Sequence, residues 1–192
     1  MNGQVVLYQG KRVYSSEIPT EMVKKFHQMV KEDGYGFTAY NDKEFYLVES
    51  TDRAKDAYGF IHTNPPALNA DFYIDNPINM LLFICLPPAE EKYKVAFPNL
   101  DFLRNTPYSV DVISKGNSKA EGIKRFLEYL NQEDAETYAF GDGPNDIEML
   151  QAVTHPVAMG NAIPVLKELA EFITTNNTDN GIINGLKHYG LI

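Results

Sequence analysis

From Ser114 to the end of the chain, segments with helical spacing alternate with short apolar runs, and this alternation limits the fold more than any other feature. Ser118 to Asn131 reads as a helix, Thr137 to Phe140 as a strand, Pro144 to Ala152 as a helix and Pro156 to Met159 as a strand. A helix from Ile163, a short strand at Phe172 to Thr174 and a last helix from Gly181 complete the series. Regular helix–strand alternation predicts an α/β fold with a parallel sheet and covering helices.

The first half follows a different grammar. "VVLYQGKRVYSS" reads as a hairpin around Gly10, and "PTEMVKKFHQMVKEDG" as a helix with Pro19 at its start and Gly34 past its end. "YGFTAYNDKEFYLVES" predicts two strands turning at Asn41 and Asp42. Its aromatics Phe37, Tyr40, Phe45 and Tyr46 fit cross-strand packing better than a ligand pocket. "NMLLFICLPPAEEKYKVAF" reads as strand then helix, and "LDFLRN" and "YSVDVIS" as two further strands. The change of grammar places a domain boundary near Val110, with a mixed α/β domain over 1–110 and the alternating domain over 111–192. The longest apolar run, Met80 to Leu86, is too short to span a bilayer and is stopped by Pro87 and Pro88, so it reads as a buried strand. The lone Cys85 within it has no internal disulfide partner and is expected to pack as an apolar residue.

Chemistry concentrates in "YAFGDGPNDIEML", Tyr138 to Leu150. In an open parallel sheet, ligands bind at the carboxyl ends of the strands, and this turn stands at such an end. Gly141 and Gly143 allow a tight turn, Pro144 suits a first helical turn, and Asp142 and Asp146 offer carboxylates to a hard cation. Magnesium takes one or two carboxylates, with waters and substrate phosphate oxygens, so these acids form a partial ligand set. Two other readings stand beside this one: the acids cap the helix and complement its dipole, or "GDGPND" is a degenerate dinucleotide fingerprint with Asp146 in place of the third glycine. A formal net charge of -9 argues against nucleic acid or an anionic membrane as partner, so a phosphorylated ligand requires a local cation. Lys119, in "SKGNSKAEGIKRF", is the candidate, with a solvated surface lysine as the ordinary alternative.

Taken in order, "SKGNSKAEGI", "YAFGDGPNDIEML", "PVAMGNA" and "TTNNTDNGI" resemble four segments of the haloacid dehalogenase superfamily, in particular its Cof-like phosphatase branch. "NGQVVLYQGKRVYSSEIP" is similar to the entry into that branch's large cap domain. The resemblance implies an α/β fold made of the C-terminal half of a Rossmann-like core and a mixed α/β cap. It implies Lys119, Asp146 and Asn145 as active-site residues, Asp142 and Asp146 as the acids that serve magnesium, and Lys119 and Asn177 on the substrate side. Gly160 and Asn161 read as shaping a loop. The implied substrate is a small phosphorylated metabolite such as a sugar phosphate, and the expected compartment is the cytoplasm. The family's nucleophile is the first aspartate of a D-x-D-x-T motif, and no D-x-D occurs anywhere in the 192 residues. The chain is therefore expected to be an N-terminally truncated member, inactive alone, with little or no bound magnesium. Its second domain is expected to expose a sheet edge, with Val112 and Phe140 partly uncovered, which invites a homodimer. A noncatalytic ligand-binding module is the alternative function.

Overall fold

The computed structural model describes residues 1–192. The chain forms two compact units, one of Met1 with Gly3–Asn117 and one of Asn2 with Ser118–Ile192.

The first unit opens with a hairpin of β1 (Val5–Tyr8) and β2 (Lys11–Ser15). Its two turn residues, Gln9 and Gly10, hold φ of 49° and 75°, the left-handed pair that matches the twist of a two-residue hairpin. The helix α1 (Thr20–Glu32) follows, then β3 (Gly36–Tyr40) and β4 (Phe45–Glu49). Asn41 closes the turn between these strands by accepting the Lys43 and Glu44 backbone N–H groups at 2.9 Å each. Next come α2 (Ala54–Phe60), α3 (Phe72–Asp75), β5 (Met80–Ile84), α4 (Glu90–Ala96), β6 (Leu100–Thr106) and β7 (Ser109–Ser114). Five strands make an antiparallel sheet in the order β4-β3-β5-β7-β6.

Strand alternation gives this sheet two faces. On one, α1 buries Val23, Phe26 and Val30, residues three to seven positions apart and so on one helical stripe, against Phe37, Phe83, Val110 and Val112. Tyr93 and Phe97 of the α4 segment complete the cluster. On the other face, α2 packs Ala54, Ala57 and Tyr58 over Leu47 and Ile84. The expected buried strand is β5, with Leu81, Phe83, Ile84 and Cys85 all fully enclosed. Arg104 forks onto Glu90 at 2.6 and 2.7 Å and also donates to the Cys85 carbonyl and Sγ. Burial pushes the Cys85 thiol up to about 11, which makes it an inert packed group.

The second unit begins at Ser118 rather than near Val110, because β7 pairs with both β5 and β6 and carries the residues up to Asn117 with it. Val112 is accordingly 0% exposed inside the first unit's core, and the expectation that it lies partly uncovered on a parallel sheet does not hold.

In the second unit α5 (Lys119–Leu130) leads to β8 (Tyr138–Gly141), α6 (Ile147–Ala152), β9 (His155–Ala158), α7 (Pro164–Leu169), β10 (Phe172–Ile173) and α8 (Gly181–His188). The three strands are parallel in the order β10-β9-β8, so β8 is an edge. Ala139, Leu150, Ala158, Met159, Ala162 and Leu166 form the core, with Phe140 half-buried against it. Ser118 caps α5 by accepting the Glu121 N–H at 3.3 Å, and Asn131 ends it in the left-handed conformation. No helix in the protein is long and apolar enough to cross a membrane.

Candidate active site

The acidic turn leaves β8 at the carboxyl ends of the parallel strands, where Gly141 faces Ala158 of β9. A Cβ on Gly141 would stand 2.7 Å from both Asp146 Cβ and Leu150 Cδ1, so only glycine lets the chain fold back and enclose Asp146. Pro144 opens a single 3-10 turn, Pro144–Asp146, that delivers the aspartate inward. The turn is tied to the loop after β9 by the Met159 and Ile163 N–H groups, which donate to the Gly141 and Asp142 carbonyls at 3.0 and 3.1 Å.

Asp146 is the buried centre of the arrangement, 4% exposed. Its Oδ1 accepts from Lys119 Nζ at 2.5 Å, and its Oδ2 accepts from the Asp142 and Gly143 backbone N–H groups at 2.9 and 3.1 Å. Burial works against the charge on this carboxylate, but the Lys119 ammonium and the two N–H groups outweigh it and hold the carboxyl below the ordinary range. Asp146 is thus ionised with both oxygens engaged inside the protein. This is more than capping: the acid closes its own loop and fixes a lysine 27 positions away in sequence. Lys119, the first residue of α5, keeps a third of its side chain exposed. An ammonium has three donors, and the bond to Asp146 uses one.

Asp142 is exposed, and its Oδ2 accepts from Asn161 Nδ2 at 2.9 Å. Asn161 Oδ1 in turn accepts the Asn177 N–H at 3.0 Å, so one carboxamide joins Asp142 to the 174–181 loop. Asn145 donates its Nδ2 to Asn2 Oδ1 at 2.9 Å. Lys119, Asp142, Asn145 and Asp146 therefore meet around a single turn, and Asn177 reaches it through Asn161. The sequence reading missed two of these connections. Asn161 was placed in a neighbouring loop without its reach to Asp142. Asn2 lies 143 positions from Asn145, beyond any local spacing signal.

As a magnesium site the donors fit only as a partial set. No three His, Cys, Asp or Glu side chains converge. Asp142 alone directs a carboxylate outward, while Asp146 is consumed by Lys119 and the backbone. One carboxylate completed by waters and phosphate oxygens is within magnesium's habit. Asn161 Nδ2 occupies Asp142 Oδ2 and leaves Oδ1 without a bond from that carboxamide. Asn161→Ala is expected to weaken magnesium affinity by roughly tenfold, read by titration calorimetry, and an unchanged affinity would remove Asn161 from the site.

A family model described as haloacid dehalogenase-like hydrolase matches residues 1–186. The chain belongs to this family. YkrA of Bacillus subtilis strain 168 is 35% identical over 199 residues, a match covering all of this chain and 74% of YkrA. A solved protein from Geobacillus kaustophilus HTA426 superposes with a TM-score of 0.89 at 32% identity, covering 100% of this chain and 75% of that one. The subclass IIB sugar phosphatase BT4131 gives a TM-score of 0.85 at 27% identity, with the same coverage of 100% and 75%. The α/β fold with both parallel and antiparallel sheets is the one these relatives share.

Proposed function

We infer that the chain carries the binding half of a magnesium-assisted phosphoryl site for small phosphorylated metabolites such as sugar phosphates, in the cytoplasm, and is inactive alone. The observation that carries this reading is the Lys119–Asp146 pair beneath an outward-facing Asp142 at the carboxyl ends of a parallel sheet. Lys119, held by Asp146, keeps N–H donors for a phosphoryl oxygen and neutralises charge that develops there. Asp142 holds the cation, with Asn161 fixing its orientation, and Asn145 and Asn177 border the space. Magnesium, when bound, polarises the phosphoryl group and offsets its charge. In this reading the second unit is a partial catalytic core and the first is the cap that selects the substrate.

Displacement at phosphorus through a covalent intermediate needs an unengaged carboxylate. Asp146 is engaged, Asp142 serves the cation, and these 192 residues contain no Asp-x-Asp pair. The residues described here are therefore proposed to bind a phosphorylated ligand without turning it over. β8 has one partner only, and an unpaired strand edge is a template for pairing with another chain, so a second copy is proposed to pair along that edge. Light scattering at high protein concentration is expected to give a dimer mass, and a monomer there would count against the pairing.

The test of function is a thermal-shift and phosphate-release series with glucose 6-phosphate, inorganic phosphate and magnesium. Joint addition is expected to raise the melting temperature without phosphate release. Magnesium-dependent release by protein freed of contaminating phosphatases would overturn the inactivity, and the absence of any shift would overturn the binding.

A further inference from the structure

The loop that touches Asp142 from behind is gripped by a lysine that the acidic turn does not use. Between β9 and α7 the chain reads Met159, Gly160, Asn161, Ala162 and Ile163. Gly160 is held on both sides. Its N–H donates to the Thr175 carbonyl at 3.1 Å, and its own carbonyl accepts from Lys167 Nζ of α7 at 2.6 Å. A Cβ on Gly160 would stand 2.5 Å from Asn176 Oδ1 and 2.8 Å from the Asn176 backbone nitrogen, so the 174–181 loop lies directly against it. That loop is closed on itself: the Asp179 and Gly181 N–H groups donate to the Asn176 carbonyl at 3.0 and 3.1 Å, and Thr174 Oγ1 donates to the Gly181 carbonyl at 2.6 Å.

Asn161 follows the gripped glycine, and its carboxamide has one orientation that satisfies both neighbours. Nδ2 only donates and meets the Asp142 carboxylate, while Oδ1 only accepts and meets the Asn177 N–H. A turned amide would set donor against donor and acceptor against acceptor. Both contacts depend on where the Asn161 backbone stands. The Gly160 carbonyl and the Asn161 nitrogen and Cα share one rigid peptide plane, so a donor fixed on that carbonyl sets the origin of the Asn161 side chain. Lys167 is half-buried with its ammonium on a backbone carbonyl, whereas a lysine that served only as surface charge would keep its ammonium in water.

We propose that Lys167 is a positioning residue for Asp142, acting through the Gly160–Asn161 peptide plane and the Asn161 carboxamide. The inference rests on the reading of Asp142 as the acid that serves magnesium. Lys167 touches neither the cation nor the ligand. It holds the Gly160 carbonyl, the plane holds Asn161, and Asn161 holds Asp142 Oδ2 and the Asn177 N–H together. The two loops at the carboxyl ends of β9 and β10 are thereby set as one piece around the acid.

The test follows the Asn161 side-chain amide signals by NMR on the full chain, identified by their disappearance in Asn161→Ala. In the parent they are expected away from the position of a free asparagine. Lys167→Met, which keeps the apolar stem and removes the donor, is expected to move them to that position and to weaken magnesium binding roughly tenfold by calorimetry. Lys167→Met added to Asn161→Ala is expected to weaken magnesium no further, because both changes break the same chain of contacts. A lysine that merely stabilises α7 would lower the melting temperature, leave the Asn161 signals in place, and add its effect to that of Asn161→Ala. Unmoved signals or additive losses overturn the proposal. Should Lys167→Met melt below the working temperature, Lys167→Ala, a better helix former, is read by the same criteria. Magnesium titration of the parent separates this proposal from the reading it rests on. Signals moved by Lys167→Met in a chain that binds no magnesium refute the cation role of Asp142 and leave the lysine's grip standing. Magnesium binding with unmoved signals does the reverse.

Discussion

Lys119→Met lowers the stability of the second unit by about 2–3 kcal/mol, less than the loss expected of a fully enclosed pair because water still reaches the lysine. The cause is Asp146, which is 4% exposed and keeps its charge only through Lys119 and two backbone N–H groups. Removing the ammonium leaves a buried charge short of its partner. Asp146→Asn added to Lys119→Met restores part of the stability by deleting that charge, while the phosphate response stays lost in both variants. The pH dependence follows from the lowered carboxyl. Asp146 ionises below its unfolded value of about 4, so its contribution is complete above about pH 4 and is lost as pH falls through the lower folded value. Without Lys119 the loss begins at higher pH. Urea titrations at several pH values read both effects, and a variant that matched the parent throughout would mean that the ion pair contributes nothing.

Phe26→Ala is expected to cost about 3–5 kcal/mol and to unfold the first unit near ambient temperature. Phe26 is 0% exposed and meets four rings, with centroid distances of 5.4 Å to Phe37, Phe83 and Phe97 and 5.3 Å to Tyr93. Those rings belong to two strands and the α4 segment, so the vacated volume cannot collapse without moving several elements. Loss of near-ultraviolet circular dichroism before the far-ultraviolet signal would report loosened packing. A fall in stability below 1 kcal/mol would show that neighbouring rings fill the gap.

Most of the architecture was legible because periodicity is local. The stripe Val23, Phe26 and Val30, the cap at Ser118 and the glycine-bounded hairpin are each decided within a few residues, and the elements expected from the sequence stand within a residue or two of their spans, whereas α2 and α3 were not expected. β7 shows where local reading stops. "YSVDVIS" reads as a strand in any setting, but whether it joins the strands before it or after it depends on which edges lie open. The answer was β5 and β6.

The candidate site divides in the same way. Residue types and spacing singled out Asp142 and Asp146 and offered Lys119, with capping and a surface lysine as alternatives, and the resemblance of four ordered segments to a known family is what added Asn145 and Asn177. They were silent on which oxygen meets which donor. That Asp146 turns inward to Lys119 while Asp142 turns outward to Asn161 depends on the packing of α5 and α6 and on two loops brought side by side by parallel strands. Spacing along a chain determines periodicity, turns and caps, because those interactions span a few residues. Partners separated by tens of residues are chosen by burial and hydrogen-bond satisfaction, which exist only once the layers have closed.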